Sequence, residues 1–266
     1  MSDIRAALRQ ARKGRELVTV ILDIERMKGT ASVEFWSLSD FKNRRIHADD
    51  VTEWPRTICA AWRTLGDRQT MFASEWTDGP EGLARATWEA YDAADIVVGH
   101  NLAGFDTKHL NTMWRDHGLM PPSPYKVIDT LQAARRTFGD ESKTLDALAK
   151  RMGFAGKNDR YDVEVARKAL AGHGPSQRKI ERYNRGDLDP TEALYVTMLP
   201  WIKSHPHVAP DLANGVDVCP RCASKKIERN GTWAPAVHRY LVYRCTDCGG
   251  NFKTTIHAKG PSVMTL

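Results

Sequence analysis

Leu17-Val18-Thr19-Val20-Ile21-Leu22-Asp23-Ile24-Glu25 is an apolar, β-branched run that ends in two carboxylates one residue apart. Its length and composition read as a buried strand. Side chains on a strand alternate with period two, so Asp23 and Glu25 point to the same side of the sheet. Two acids crowded at one strand end are unfavourable unless a positive charge sits between them. A site offering oxygen ligands alone selects Mg²⁺ or Mn²⁺ over zinc. The plainer alternative is a solvated strand end with two ordinary surface acids.

Two further stretches extend this pattern. Asp95-Ile96-Val97-Val98-Gly99-His100 is a short β-branched strand, and the segment His100-Asn101-Leu102-Ala103-Gly104-Phe105-Asp106 leads from it into a helical period through Leu110, Met113 and Trp114. Asp106 therefore sits at a strand-to-helix loop, where its ordinary use would be an N-cap. In Tyr183-Asn184-Arg185-Gly186-Asp187 a tyrosine and an aspartate four apart share one helix face. The ordinary use of Tyr183 would be a half-buried aromatic with a satisfied hydroxyl. Asp189-Pro190 then restarts a helix, with Asp189 as its expected cap.

Taken together, a DxE after one strand, an NxxxFD loop after another and a late YxxxD helix, about eighty residues apart, resemble the DEDD superfamily of 3′ to 5′ exonucleases. The tyrosine branch is the match, because the histidine branch needs a histidine where this chain has Arg182. The resemblance spans Leu17 to about Trp201, with Asp129 and Asp146 between its second and third motifs as caps or scaffold acids. It implies a ribonuclease-H-like α/β fold: a mixed sheet flanked by helices, opening with three antiparallel strands and continuing into parallel crossings. Strand-like runs at Ser32–Trp36, Thr57–Trp62 and Met71-Phe72, followed by alternating helices and short strands, agree with that order. The implied catalytic set is Asp23, Glu25, Asp106, Tyr183 and Asp187. The four acids would hold two Mg²⁺ or Mn²⁺ ions, with Asp23 bridging, Glu25 and Asp187 on the nucleophile side, Asp106 on the second ion, and Tyr183 orienting water. Asn101 and Phe105 would contact the terminal nucleotide. Gly186 and Pro190, so close to the third motif, are unfavourable inside one continuous helix.

A second, independent signal is Cys219-Pro220-Arg221-Cys222 and, after twenty-two residues, Cys245-Thr246-Asp247-Cys248-Gly249. Two CxxC knuckles fit one tetrahedral structural Zn²⁺. Asn230-Gly231 between them is a hairpin dipeptide, which makes the segment read as a zinc ribbon. Disulfides are the competing use. The first fifteen residues carry five basic side chains and lack the apolar stretch of a signal peptide, which points to a reducing, cytoplasmic compartment. Cys59 stands alone in an apolar strand and reads as core.

The 266 residues, 41% of them apolar, fit a nuclease-sized unit over 1–204, a proline-containing linker over 205–216 and a ribbon over 217–266. The histidines at its start, His205 and His207, read as surface residues. No apolar run is long enough to cross a membrane. Net charge is +6, and from Asp211 onward eight Lys or Arg face four Asp or Glu, so the excess concentrates at the C-terminal end. That asymmetry points to phosphate backbones. Trp233, Tyr240 and Phe252 among Lys225, Lys226, Arg229 and Arg239 offer base stacking, or else form the ribbon's own small core. The amino-terminal stretch Asp3–Lys13 reads as a docking helix.

The function implied is 3′–5′ exonuclease hydrolysis, with DNA favoured over RNA and single-stranded 3′ ends as the partner. Assistance to a separate polymerase or replication protein is compatible with it. The compact pairing of nuclease and ribbon is similar to what phage genomes encode, which would put it in a host cytoplasm. Two other classes compete: a ribonuclease-H-like endonuclease or strand-transfer enzyme, against which Tyr183 argues, and a non-catalytic nucleic-acid-binding adaptor, against which the four acids argue.

Overall fold

The computed structural model describes residues 17–37, 45–156, 161–208, 218–235 and 238–258. The stretch Asp3–Lys13 and most of the linker lie outside them. In chain order the strands are β1 (Thr19–Met27), β2 (Thr30–Ala31), β3 (Val51–Glu53), β4 (Arg56–Thr64), β5 (Met71–Ser74), β6 (Ile96–Gly99) and β7 (Lys126–Asp129), then β8 (Ile227–Trp233), β9 (Arg239–Cys245) and β10 (Asn251–Ala258). The helices are α1 (Glu75–Ala93), α2 (Asp106–Asp116), α3 (Thr130–Thr137), α4 (Leu145–Arg151), α5 (Val163–Leu170), α6 (Gly174–Gly186) and α7 (Leu188–Met198).

The main sheet has five strands in the order β5-β4-β1-β6-β7. β1 pairs antiparallel with β4, and β4 with β5, whereas β1–β6 and β6–β7 are parallel. This is the mixed α/β, ribonuclease-H-like sheet expected, with a three-strand antiparallel half. The members of that half differ from expectation. Ser32–Trp36 is not a strand; only Thr30 and Ala31 pair, and they pair with β3 in a separate two-stranded ladder. β4, not Ser32–Trp36, takes the antiparallel place beside β1, and Trp36 is fully exposed.

Alternation along β1 assigns its two faces. Val18, Val20, Leu22 and Ile24 pack with Val97, Leu102, Leu110 and Trp114 under α1 and α2. Ile21 points the other way, into a cluster with Ala61, Val98, Leu188, Tyr195 and Leu199 that α7 covers. Asp23 and Glu25 follow Ile21 by two and four residues, so they emerge on the α6–α7 side, where apolar packing gives way to polar groups.

The glycine–proline difficulty near the third motif resolves into two helices. α6 ends at Gly186, Asp187 is the hinge residue in right-handed helical geometry, and α7 begins at Leu188. Pro190 then falls in the first turn of α7, where its missing N–H leaves no intrahelical bond unmade. Asp189 is accordingly not a cap; its carboxylate pairs with Arg63 at 2.6 Å, tying α7 to β4.

Gly99 ends β6 directly beside the central strand. A Cβ there would lie 2.9 Å from Leu102 Cδ1 and 3.0 Å from the Leu22 carbonyl oxygen, and the backbone neighbour cannot turn aside. Gly99→Ala is expected to destabilise the chain by about 1–3 kcal/mol through overpacking. Chemical denaturation would measure it, and an unchanged midpoint would show that the β6–loop junction is looser than drawn.

Candidate metal centres

Carboxylate oxygens of Asp23, Glu25 and Asp187 lie within 4.8 Å of one another. Asp187 is buried, and Asp23 and Glu25 are half-buried. β1 supplies the first two at adjacent positions of one face, and the α6–α7 hinge delivers the third. Three hard oxygen ligands of this kind fit Mg²⁺ or Mn²⁺. Asp106 does not join the group of three. Rather than capping α2, it is that helix's first residue, and its Oδ1 accepts a hydrogen bond from the Ile24 backbone N–H at 3.2 Å. This contact seats Asp106 on the edge of β1 between Asp23 and Glu25 in sequence, beyond the last residue that β1 pairs with β6.

The loop carrying the NxxxFD pattern is held by Asp129. As the N-cap of α3 it accepts from Gln132 N–H, and it also accepts from Asn101 and Ala103 N–H, all at 3.1 Å. Asn101 takes a left-handed backbone (φ +67°), which asparagine tolerates better than most residues. Phe105 is 39% exposed, its ring edge-on to His109 with centroids 4.6 Å apart. Tyr183 is half-buried on α6, its ring 6.3 Å from that of Tyr161.

Two neighbours of the acids had no signal in the sequence reading. Asn184 is fully buried and donates from Nδ2 to Asp23 Oδ2 at 2.7 Å, across 161 residues of chain. It stands three residues before Asp187, so one helical turn presents both toward β1. Tyr161 donates its hydroxyl to the Arg26 carbonyl at 2.7 Å, and burial, with the Glu25 charge next, pushes its phenol well above the usual range. Under the acids, Cys59 is fully buried opposite Glu25, as a core residue should be. Burial first, then Glu25 and Asp23, hold its thiol strongly protonated.

The four C-terminal cysteines also converge. Sγ atoms of Cys219 and Cys248, and of Cys222 and Cys245, are 3.7 Å apart, and all four lie within 4.8 Å of one another. A disulfide needs roughly 2.05 Å, whereas sulfurs ~2.3 Å from a tetrahedral zinc stand about 3.8 Å apart. The set therefore fits a metal. Both knuckles close alike: Ala223 N–H bonds to the Cys219 carbonyl and Gly249 N–H to the Cys245 carbonyl, each at 2.9 Å with positive φ. β8, β9 and β10 form the antiparallel sheet of the ribbon. Asn230-Gly231 is not its hairpin turn. The pair lies inside β8, where the register slips between Arg229 and Thr232 and Gly231 has φ +89°, so it makes a bulge.

The knuckles rest on the α7 side of the main sheet. Cys222, Cys248 and Val208 pack against the cluster of Tyr195, Leu199 and Ile202, and Arg221 Nε donates to the Ile202 carbonyl at 3.3 Å. His205 is not a surface residue: it stacks on Tyr195 and accepts that hydroxyl's hydrogen bond at 2.7 Å, and burial lowers its pKa. Among the described residues no helix is long and apolar enough to cross a membrane.

The fold is that of a ribonuclease-H-like α/β domain with a cysteine cluster near its C-terminal end. A family B DNA polymerase from the hyperthermophilic archaeon Pyrobaculum calidifontis superposes on it with a TM-score of 0.51 at 17% identity, over 69% of this chain and 25% of that one. The chain thus spans only a fraction of the polymerase, and the likeness is one of fold. No family model and no curated protein matches the sequence.

Asn184 offers a direct test of the acid cluster. Asn184→Asp would set a fourth carboxylate against Asp23 and remove its donor. Stability in chelator should fall by about 1–3 kcal/mol, with part regained when Mn²⁺ is added. Unchanged stability in both conditions would mean that the three acids are not electrostatically coupled.

Proposed function

We propose that this chain is a metal-dependent nuclease acting as a 3′–5′ exonuclease, with 1–204 as the catalytic unit, 205–216 as the linker and 217–266 as a zinc ribbon. The observation that carries this reading is the meeting of Asp23, Glu25 and Asp187 within 4.8 Å, with Asp106 seated on the same strand edge through Ile24. The DxE, NxxxFD and YxxxD segments, far apart in sequence, supply these acids in the order the DEDD resemblance implies.

In this reading Asp23, Glu25 and Asp187 would hold one divalent ion, and Asp106 would serve a second together with Asp23. When bound, a pair of Mg²⁺ or Mn²⁺ ions supplies an acidified water and neutralises charge on the attacking and leaving oxygens at phosphorus. Asn184 fixes the orientation of Asp23 through the 2.7 Å hydrogen bond from its Nδ2 to Oδ2. Tyr183 orients the attacking water rather than taking its proton. Asn101 and Phe105, on the loop that Asp129 braces, receive the terminal nucleotide.

The ribbon supports a nucleic-acid partner. Lys253 Nζ lies 3.9 Å from the centroid of Trp233 and 4.2 Å from that of Tyr240, and Trp233 is 46% exposed. An aromatic pair with an ammonium already over it offers a base a stacking surface and a phosphate a cation. DNA is the favoured substrate, and a separate polymerase is a compatible partner.

Two measurements decide these assignments. Asp23→Asn or Asp187→Asn should abolish hydrolysis of end-labelled single strands in Mg²⁺ and Mn²⁺, a loss of several kcal/mol of transition-state stabilisation. Tyr183→Phe should slow it far less. Shortening from the 3′ end supports the exonuclease, an internal cut points to an endonuclease, and retention without cleavage points to an adaptor. Near-normal rates in Asp23→Asn would remove the site assignment.

Elemental analysis should find one zinc per chain, lost in Cys222→Ser. Because Cys222 packs on Ile202 and Tyr195, loss of the metal should also lower the melting temperature of the whole chain. A nuclease melting transition indifferent to zinc would show that the knuckle contact carries no stability.

A further inference from the structure

Arg26 follows Glu25 on β1, and its guanidinium borders a cavity of about 220 Å³ whose walls include Pro55, Arg56, His109, Met113 and His117. The volume far exceeds one water's share, ~30 Å³. Arg26 is half-buried, yet its partners are neutral: Nη2 donates to the Pro55 carbonyl at 2.9 Å, and Nη1 donates to His109 Nε2 at 3.1 Å. A guanidinium has no acceptor, so His109 accepts with Nε2 and carries its proton on Nδ1. Arg26 Nε is sealed from solvent without a partner. The two carboxylates on the cavity wall are committed elsewhere, Glu75 to Arg56 at 3.0 Å and Asp116 to Arg115 at 2.7 Å. Arg26 itself takes part in no ion pair among the described residues.

A partly desolvated cation without a counter-ion is unfavourable unless a ligand supplies the missing charge. The position says which ligand. The guanidinium also lies 5.8 Å from the centroid of Phe105, whose chain neighbour is Asp106. Arg26 thereby lines the cavity and stands over the aromatic residue that precedes Asp106.

We propose that the cavity beside Arg26 is a phosphate subsite that grips a phosphodiester of a bound single strand whose end lies at the carboxylates. Beyond their bonds to His109 and Pro55, Nη1 and Nη2 each keep a second N–H, and this pair matches two phosphate oxygens. The inference rests on the nucleic-acid reading above and adds to it a specific anchor away from the metal ligands.

The test uses the full chain loaded with zinc, with Mg²⁺ and Mn²⁺ withheld to suspend hydrolysis, and follows a 5′-fluorescent oligothymidylate by anisotropy across a salt series. Arg26→Gln should bind roughly tenfold more weakly or worse, and its log–log salt slope should fall by about 0.7, the share of one phosphate on a single strand. A merely structural role would not change that slope. Arg26→Lys should keep the slope and lose part of the affinity, because a point charge replaces the fork. Phenylglyoxal footprinting of the unmodified protein reads the same contact should a variant fail to fold: the oligonucleotide should protect Arg26.

Equal affinity and slope in Arg26→Gln, or no protection, would overturn the subsite. Protection by inorganic phosphate but not by the oligonucleotide would also overturn it, leaving a free-phosphate site. Absent hydrolysis in every metal, with Arg26-dependent binding intact, would instead defeat the nuclease reading and leave the subsite standing.

Discussion

Three carboxylates within 4.8 Å repel one another. At an effective dielectric constant near 20, two unit charges at that distance oppose each other by about 3 kcal/mol. The sequence nevertheless holds them in place from both sides. Asp23 and Glu25 cannot leave without moving β1, the central strand, which is paired with β4 on one edge and β6 on the other. A one-residue slip would turn both acids to the α1–α2 face and bury them among Leu22's neighbours. Asp187 cannot leave without unpacking Leu188, the fully buried residue next to it. The apolar register thus stores the repulsion, which a divalent cation bound among the three would relieve.

The amount that sequence could reveal follows from the range of each interaction. Alternation on β1 is local, so the shared side of Asp23 and Glu25 is readable from the strand alone. Thiolate spacing is likewise local, and the four sulfurs meet as the two knuckles imply. Asn184 was illegible for the opposite reason: nothing in a helix announces that an amide will face a strand 161 residues earlier. Asn230-Gly231 failed differently. A glycine with positive φ serves a hairpin turn and a bulge equally well, and only the partner strand β9 decides between them. His205 and Asp189 were misread because their partners, Tyr195 and Arg63, come from surfaces that exist only once α7 has docked.

The family resemblance contributed what spacing could not, namely that three weak motifs belong to one site. The geometry in turn refines the resemblance. Asp106 is anchored by the backbone of β1 and stands outside the group of three acids that lie within 4.8 Å of one another.

The cysteine cluster changes how the C-terminal segment relates to the rest of the chain. A small segment of this kind has little apolar surface of its own to bury, and here Cys222 and Cys248 direct part of theirs onto Tyr195, Leu199 and Ile202. Leu199 and Ile202 are 7% exposed with the knuckle in place, and both lie in the same cluster as Ile21, two residues before Asp23 on β1. Apolar contact therefore runs without a break from the cysteine cluster, through the end of α7, to the strand that carries the acids. The two clusters share one packed face of the sheet, and a disturbance of the cysteines has a physical route to the carboxylates.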